Sequence, residues 1–159
     1  MNYEVTIKTL PECIVYYKEG YLKKYSDSSE FILSSADECL KDNPNIKCIE
    51  PDYCYVNYLD GEYRDKDIKV RYAQAVIKSE KNFVENENIK FMELPEVKCV
   101  CIYHKGTYDE LGISYSKIMK YIEDNKLEIV DYPRECYIDG IWNKEDINDW
   151  LTEIQVPIK

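Results

Sequence analysis

Histidine is almost missing from this chain: His104 is the only one among 159 residues. A metal centre would need other ligands, and no C-x-x-C spacing supplies them. Cys99-x-Cys101 puts two thiols on one face of a strand, because side chains alternate there. Buried structural thiols are the expected reading, with no metal and no cofactor. The seven Cys are an odd number in a chain without an export signal, so reduced thiols are expected. Met1-Asn2-Tyr3-Glu4 runs directly into a strand pattern, with no basic or apolar leader. No apolar run approaches the ~20 residues of a membrane helix. A cytoplasmic location and no membrane partner are expected. Positive charge is also short: 21 Lys and Arg stand against 31 Asp and Glu, a net charge of −10. That argues against direct nucleic-acid binding, which needs a basic face. It suits cationic ligands or basic partners. G-x-S-x-G, H-E-x-x-H and phosphate-loop patterns are all absent, so the residues demand no particular reaction.

Phe and Trp are scarce too, at 3 and 2, while Tyr reaches 16. Tyr combines an apolar ring with a polar tip, so this surplus points to an aromatic surface or cavity that stays wet. The other feature is duplication. Thr9-Leu10-Pro11-Glu12 recurs as Glu93-Leu94-Pro95-Glu96, 84 positions on (95 − 11). Each copy lies between strand-like runs, followed by a Gly (Gly20, Gly106), a helical stretch, a Pro-marked turn and two more strands. Repeat 1 spans about 1–78 and repeat 2 about 89–159, joined by a Lys-, Glu- and Asn-rich linker at about 79–88.

Within repeat 1, strands are expected at Glu4 to Leu10, Cys13 to Tyr17, Tyr53 to Leu59 and Asp67 to Ile77, with a turn at Asp60-Gly61. Asp27-Ser28-Ser29-Glu30 reads as a capping box opening a helix that runs to about Leu40 and stops at Asn43-Pro44-Asn45. In repeat 2, strands are expected at Ile89 to Leu94, Val97 to Tyr103, Glu135 to Ile138 and Trp150 to Ile158. Thr107-Tyr108-Asp109-Glu110 is a second capping box, before a helix carrying Leu111, Tyr115, Ile118, Met119 and Ile122. Two β-α-β-β units make an α+β fold, with two pseudo-symmetric antiparallel sheets about a central groove. The whole chain reads as a single domain of 1–159.

Three motifs carry a family resemblance. His104-Lys105-Gly106-Thr107-Tyr108-Asp109-Glu110-Leu111-Gly112 is similar to the H-x-G-x-Y-x-x-L motif of GyrI-like small-molecule-binding domains. So are Tyr132-Pro133-Arg134-Glu135-Cys136-Tyr137 and the terminal Thr152-Glu153-Ile154-Gln155-Val156-Pro157-Ile158. The first half resembles the family only in pattern. That family includes effector-binding domains of AraC-type and MerR-type multidrug regulators, the DNA gyrase inhibitory protein, and stand-alone hydrolases that open strained cyclopropanes. The resemblance implies a stand-alone pocket for hydrophobic, often cationic molecules. Its central acid would fall on Glu153, with Tyr108 and Tyr137 as motif aromatics.

Strand alternation puts Leu151, Glu153 and Gln155 on one face and Thr152, Ile154 and Val156 on the other, under the helix. Glu153 is therefore expected to face the groove, where surrounding rings would favour a desolvated cation. Tyr137 faces opposite to Cys136 and Ile138, toward the groove. Tyr108 either reaches the groove mouth or packs on the sheet. Tyr16, Tyr55 and Tyr72 are candidates from the first half, and Tyr72 aligns with Glu153 at an offset of 81 (153 − 72). A one-residue slip would bring Tyr17, Tyr53 or Tyr58 in instead. Trp142 is expected as a lid, Trp150 as core or rim, and His104 as a structural side chain. The leading expectation is a sensing or sequestering protein for aromatic, hydrophobic, cationic molecules. A hydrolase would use Glu153 as general base with a Tyr hydroxyl such as that of Tyr137. A gyrase-inhibitor-like module would instead present its negative charge to a protein partner, gyrase or a regulator.

Overall fold

A computed structural model describes residues 4–60, 66–79, 82–140 and 142–159. Gly61 of the expected Asp60-Gly61 turn, Glu80 and Lys81 of the linker, and Met1-Asn2-Tyr3 lie outside the described residues. The elements are β1 (Thr6–Leu10), β2 (Cys13–Leu22), α1 (Ser28–Asp42), β3 (Cys54–Tyr58), β4 (Ile68–Val76), β5 (Lys90–Leu94), β6 (Val97–Lys105), α2 (Leu111–Asp124), β7 (Arg134–Asp139) and β8 (Leu151–Ile158). The fold is α+β, as the sequence pattern indicates, and all the strand pairs described here are antiparallel.

The chain forms two compact units. One is continuous, Glu12–Pro95; the other is discontinuous, Met1–Pro11 with Glu96–Lys159. In the continuous unit the strand order is β3-β4-β2-β5. In the discontinuous unit it is β1-β6-β8-β7. The units are thus not the two sequence copies. Each takes its β5 or β1 edge strand from the sequence copy that supplies the rest of the other unit.

In the discontinuous unit α2 lays Ile118 and Ile122 on Val100, Ile102, Ile154, Val156 and Ile158. Burying each such side chain stabilises the fold by roughly 1.5–3 kcal/mol. Ile154 and Val156 therefore lie under the helix as the alternation requires. Gly106, at φ 111°, takes the chain out of β6 in a conformation that L side chains resist, and its N–H donates to the Trp150 carbonyl at 2.8 Å.

Neither expected capping box forms. Asp27 and Thr107 make no side-chain cap hydrogen bond, because a 3-10 turn, Tyr25–Asp27 or Tyr108–Glu110, leads each helix in. At Thr107 the turn moves the helix start past the capping residue, and at Asp27 it leaves the N-cap backbone at φ −80°, ψ −3° instead of the extended conformation a side-chain cap needs. α1 does stop at Asn43, whose amide donates to the Cys39 carbonyl at 3.2 Å and the Val84 carbonyl at 3.0 Å. Among the described residues no helix is long and apolar enough to cross a membrane.

In the continuous unit, Lys18 reaches Glu38 of α1 at 2.7 Å. A Cβ on Gly20 would sit 2.7 Å from Phe31 Cε2. Gly20→Ala is therefore expected to cost about 1 kcal/mol, since the half-buried Phe31 ring must shift off the strand. Thermal unfolding checks this; an unchanged melting temperature would show that the ring moves freely.

Candidate functional site

The site grows from a three-residue alternation in β7. Glu135 pairs with Ile154, Cys136 with Glu153 and Tyr137 with Thr152. Directly paired residues share a face. Ile154 lies in the α2 core, so Glu135 and Tyr137 lie on the α2 side and Cys136 lies with Glu153 on the other. Tyr137 therefore does not share a face with Glu153. The expectation that both point the same way is corrected by the β7–β8 register.

Glu135 is only 6% exposed. Its carboxylate accepts from the Tyr115 hydroxyl of α2 at 2.5 Å and the Tyr137 hydroxyl at 2.9 Å. Both partners are neutral, and no ion pair reaches Glu135 among the described residues. Burial pushes its carboxyl above the ordinary range, and the two hydroxyl bonds offset this only in part. A carboxylate out of water without a counter-ion is costly to the fold.

Aromatic rings stand beside it. The Tyr108 ring lies 5.6 Å from Tyr137 and 5.3 Å from Trp150, centroid to centroid. Burial, and then the charge of Glu135, raise the Tyr108 phenol pKa, so the two groups sense each other. Tyr108 is 40% exposed and forms the solvent side of the cluster. Thr152 lies in the same row, between Tyr137 and His104. His104 Nε2 donates to the Thr107 carbonyl at 2.7 Å, and Nδ1 meets the Ser114 hydroxyl at 2.9 Å. His104 is thus held on both ring nitrogens, as a structural side chain would be.

Glu153 sits in different company. It is 6% exposed, but the Lys8 ammonium of β1 donates to it in a close ion pair, and Gln155 Nε2 donates at 2.6 Å. Lys8 also donates to the Tyr103 hydroxyl at 2.9 Å. Burial lowers the Lys8 pKa, yet the bonds to Glu153 and Tyr103 outweigh it and leave the ammonium more basic than an ordinary Lys. The same face carries Cys99 and Cys101, whose thiols burial pushes up to about 11 and about 12. All seven Cys are free, and among the described residues no His, Cys, Asp and Glu cluster could hold a metal ion.

The remaining candidates scatter. Trp142 is 56% exposed, and its ring lies on Gly140. Tyr16 and Tyr72 belong to the continuous unit, on the α1 side, with rings 6.2 Å apart. Tyr72 donates to Gln74 Oε1 at 3.0 Å. Tyr55 packs on Tyr53 at 5.6 Å, on the other face of the same sheet. The strand registers match Glu153 with Arg71, 82 positions earlier (153 − 71), rather than with Tyr72. Arg71 donates to Glu19 at 2.9 Å. Surface clefts of about 320 and 290 Å³ lie near Phe83 and near Thr9. They hold no buried carboxylate, so their size carries less weight than the chemistry around Glu135.

The duplication supplies an internal comparison. By register the row Tyr137–Thr152–His104 corresponds to Tyr58–Val70–Gly20, and Glu135 to Val56. Tyr108 corresponds to Tyr25, and Tyr25–Tyr58 repeats the edge-on ring geometry at 5.5 Å. Ser114 corresponds to Phe31, the fourth residue of each helix. One copy keeps the rings but fills the rest with Val56, Val70 and Phe31. The other places a carboxylate, a hydroxyl and an imidazole there. A packing role alone does not account for that substitution of polar for apolar groups.

The α+β unit with a helix laid over its antiparallel sheet is an architecture shared by a known class of small-molecule binding domains. The chain belongs to the GyrI-like small molecule binding domain family, whose model matches residues 3–159. It is 40% identical to the EcmrR C-terminal domain, with a TM-score of 0.87, covering 100% of this chain and 99% of that one. It matches EcmrR in a complex with DNA at 40% identity and a TM-score of 0.88, covering 100% of this chain but 58% of that chain. SAV2435, in a structure bound to tetraphenylphosphonium, shares the fold at 17% identity and a TM-score of 0.53, covering 100% of this chain and 94% of that one. Among curated proteins, none matches the chain.

Proposed function

We propose that this chain binds aromatic, hydrophobic cations at Glu135, with Tyr108, Tyr137 and Trp150 as the aromatic walls, as the sensing or sequestering part of a regulator-type system. One observation carries the reading: Glu135 is a buried carboxylate whose hydrogen bonds, among the described residues, come only from Tyr hydroxyls. A cation placed there would gain charge attraction and cation–π contacts together, in a medium that screens neither strongly. Glu153 suits this role less, because Lys8 already neutralises it. The likeness to the C-terminal domain of EcmrR, a protein seen in a complex with DNA, supports a regulatory setting, and the tetraphenylphosphonium bound by SAV2435 suggests the first probe.

The test is a fluorescence titration of the full chain with tetraphenylphosphonium and rhodamine 6G. Wild type is expected to bind with micromolar affinity. Tyr108→Ala is expected to weaken both about tenfold, since a desolvated cation–π contact contributes roughly 1–2 kcal/mol. No saturable binding by wild type would end this reading.

A further inference from the structure

Among the described residues two buried side-chain polar atoms lack a hydrogen-bond partner, Trp150 Nε1 and Thr152 Oγ1. They are two positions apart, at the start of β8. Thr152 is fully buried and pairs directly with Tyr137, and Trp150 packs against Tyr108. Both orphans therefore fall on the face that carries Glu135. Buried polar groups are almost always satisfied, so an orphan calls for a cause. Two in one place, beside an acid with no counter-ion among the described residues, share one cause more simply than three.

Their chemistry is specific. An indole N–H only donates, whereas a Thr hydroxyl can donate or accept, so an acceptor is the one group that serves both orphans. Packing offers a contrast. In the other sequence copy the position of Thr152 holds Val70, which is 1% exposed and has nearly the same shape. A β-branched apolar residue thus fits this strand position, and the hydroxyl costs stability where it stands unpaired.

We infer that the natural ligand carries a hydrogen-bond acceptor, such as a carbonyl or ether oxygen, held by Thr152 and Trp150 while its cationic centre sits against Glu135. This deepens the proposed cation-binding function and rests on it. The acceptor contact sets specificity, because a site with donors left buried and unpaired rejects an analogue that lacks the acceptor. The ligand class narrows from any lipophilic cation to one with charge and acceptor on a common aromatic frame.

The test uses a matched pair of probes, para-acetylphenyl-trimethylammonium and para-isopropylphenyl-trimethylammonium. They are similar in shape and charge and differ in the carbonyl. Wild type is expected to prefer the acetyl probe about tenfold or more. Thr152→Val is expected to remove most of that preference, leave the isopropyl probe within about twofold, and raise the melting temperature. Trp150→Phe should lower the preference further. Equal affinity of wild type for the two probes would overturn the inference, as would a Thr152→Val variant that keeps the preference or loses both probes equally. Glu135→Gln separates this from the underlying reading: it should weaken both probes alike. If it weakens neither, cation binding at Glu135 fails whatever Thr152 does.

Discussion

Glu135→Gln is expected to make the protein more stable and a poorer binder. The variant removes a charge that is 6% exposed and has no cationic partner among the described residues. Its carboxamide keeps an oxygen for one Tyr hydroxyl and offers an N–H to the phenol oxygen of the other. A gain on the order of 1–2 kcal/mol follows from the relieved desolvation. For a chain of this size that is roughly 3–6 °C in melting temperature. Cation affinity should fall at least about tenfold, measured with tetraphenylphosphonium. The pH dependence has a definite sign. Burial raises the folded-state pKa of Glu135. Its contribution to stability is therefore full below the ordinary carboxylate value, about 4.3, and is lost as pH rises through the raised one. The melting-temperature gap between variant and wild type should widen from pH 5 to pH 8. Cation affinity of wild type should fall on acidification as the carboxylate takes a proton. A variant that loses stability and keeps its affinity would make Glu135 a structural group.

Lys8→Met should have the opposite character. It leaves Glu153 buried with, among the described residues, only the Gln155 amide donating to it. Breaking a buried pair leaves an uncompensated charge, which is strongly destabilising. The Lys8 side chain is 37% exposed, so solvent moderates the loss to about 1–2 kcal/mol. Adding Glu153→Gln should restore much of that loss, because the orphaned charge is gone, and a double-mutant cycle measures the coupling. Tetraphenylphosphonium affinity of Lys8→Met should stay within about twofold of wild type. A tenfold gain would mean that Lys8 competes with the ligand and that Glu153 is the ligand acid.

The sequence made Thr152, Ile154 and Val156 legible as the helix-facing side of β8, because strict alternation beside Ile118 and Ile122 of α2 leaves one consistent arrangement. Alternation in Glu135-Cys136-Tyr137 was equally readable, and it puts Glu135 and Tyr137 on one side. What it lacks is the register between β7 and β8, which decides whether that side lies over α2 or beside Glu153. The family resemblance drew attention to the carboxylate of the terminal strand, while a second carboxylate sat inside another motif. The signal for Glu135 was its spacing of two from Tyr137 within a strand. Its burial was not readable, since only the helix above it, with Tyr115, takes it from water. Lys8 was hidden for a related reason. It lies 145 positions from Glu153 (153 − 8), and only pairing of β1 with β6 brings it there.

That borrowed strand also has a bearing on how the protein comes off the ribosome. Everything the continuous unit needs, from Glu12 to Pro95, emerges as one uninterrupted stretch. It can fold while the rest is still being translated. The discontinuous unit has no such freedom. β1 is made well before β6, the strand it pairs with, which begins at Val97. Until then it trails as an unpaired edge with Lys8 in its middle, a residue type that discourages stray pairing. The lysine that neutralises Glu153 in the finished molecule would thus guard the nascent chain before its partner exists.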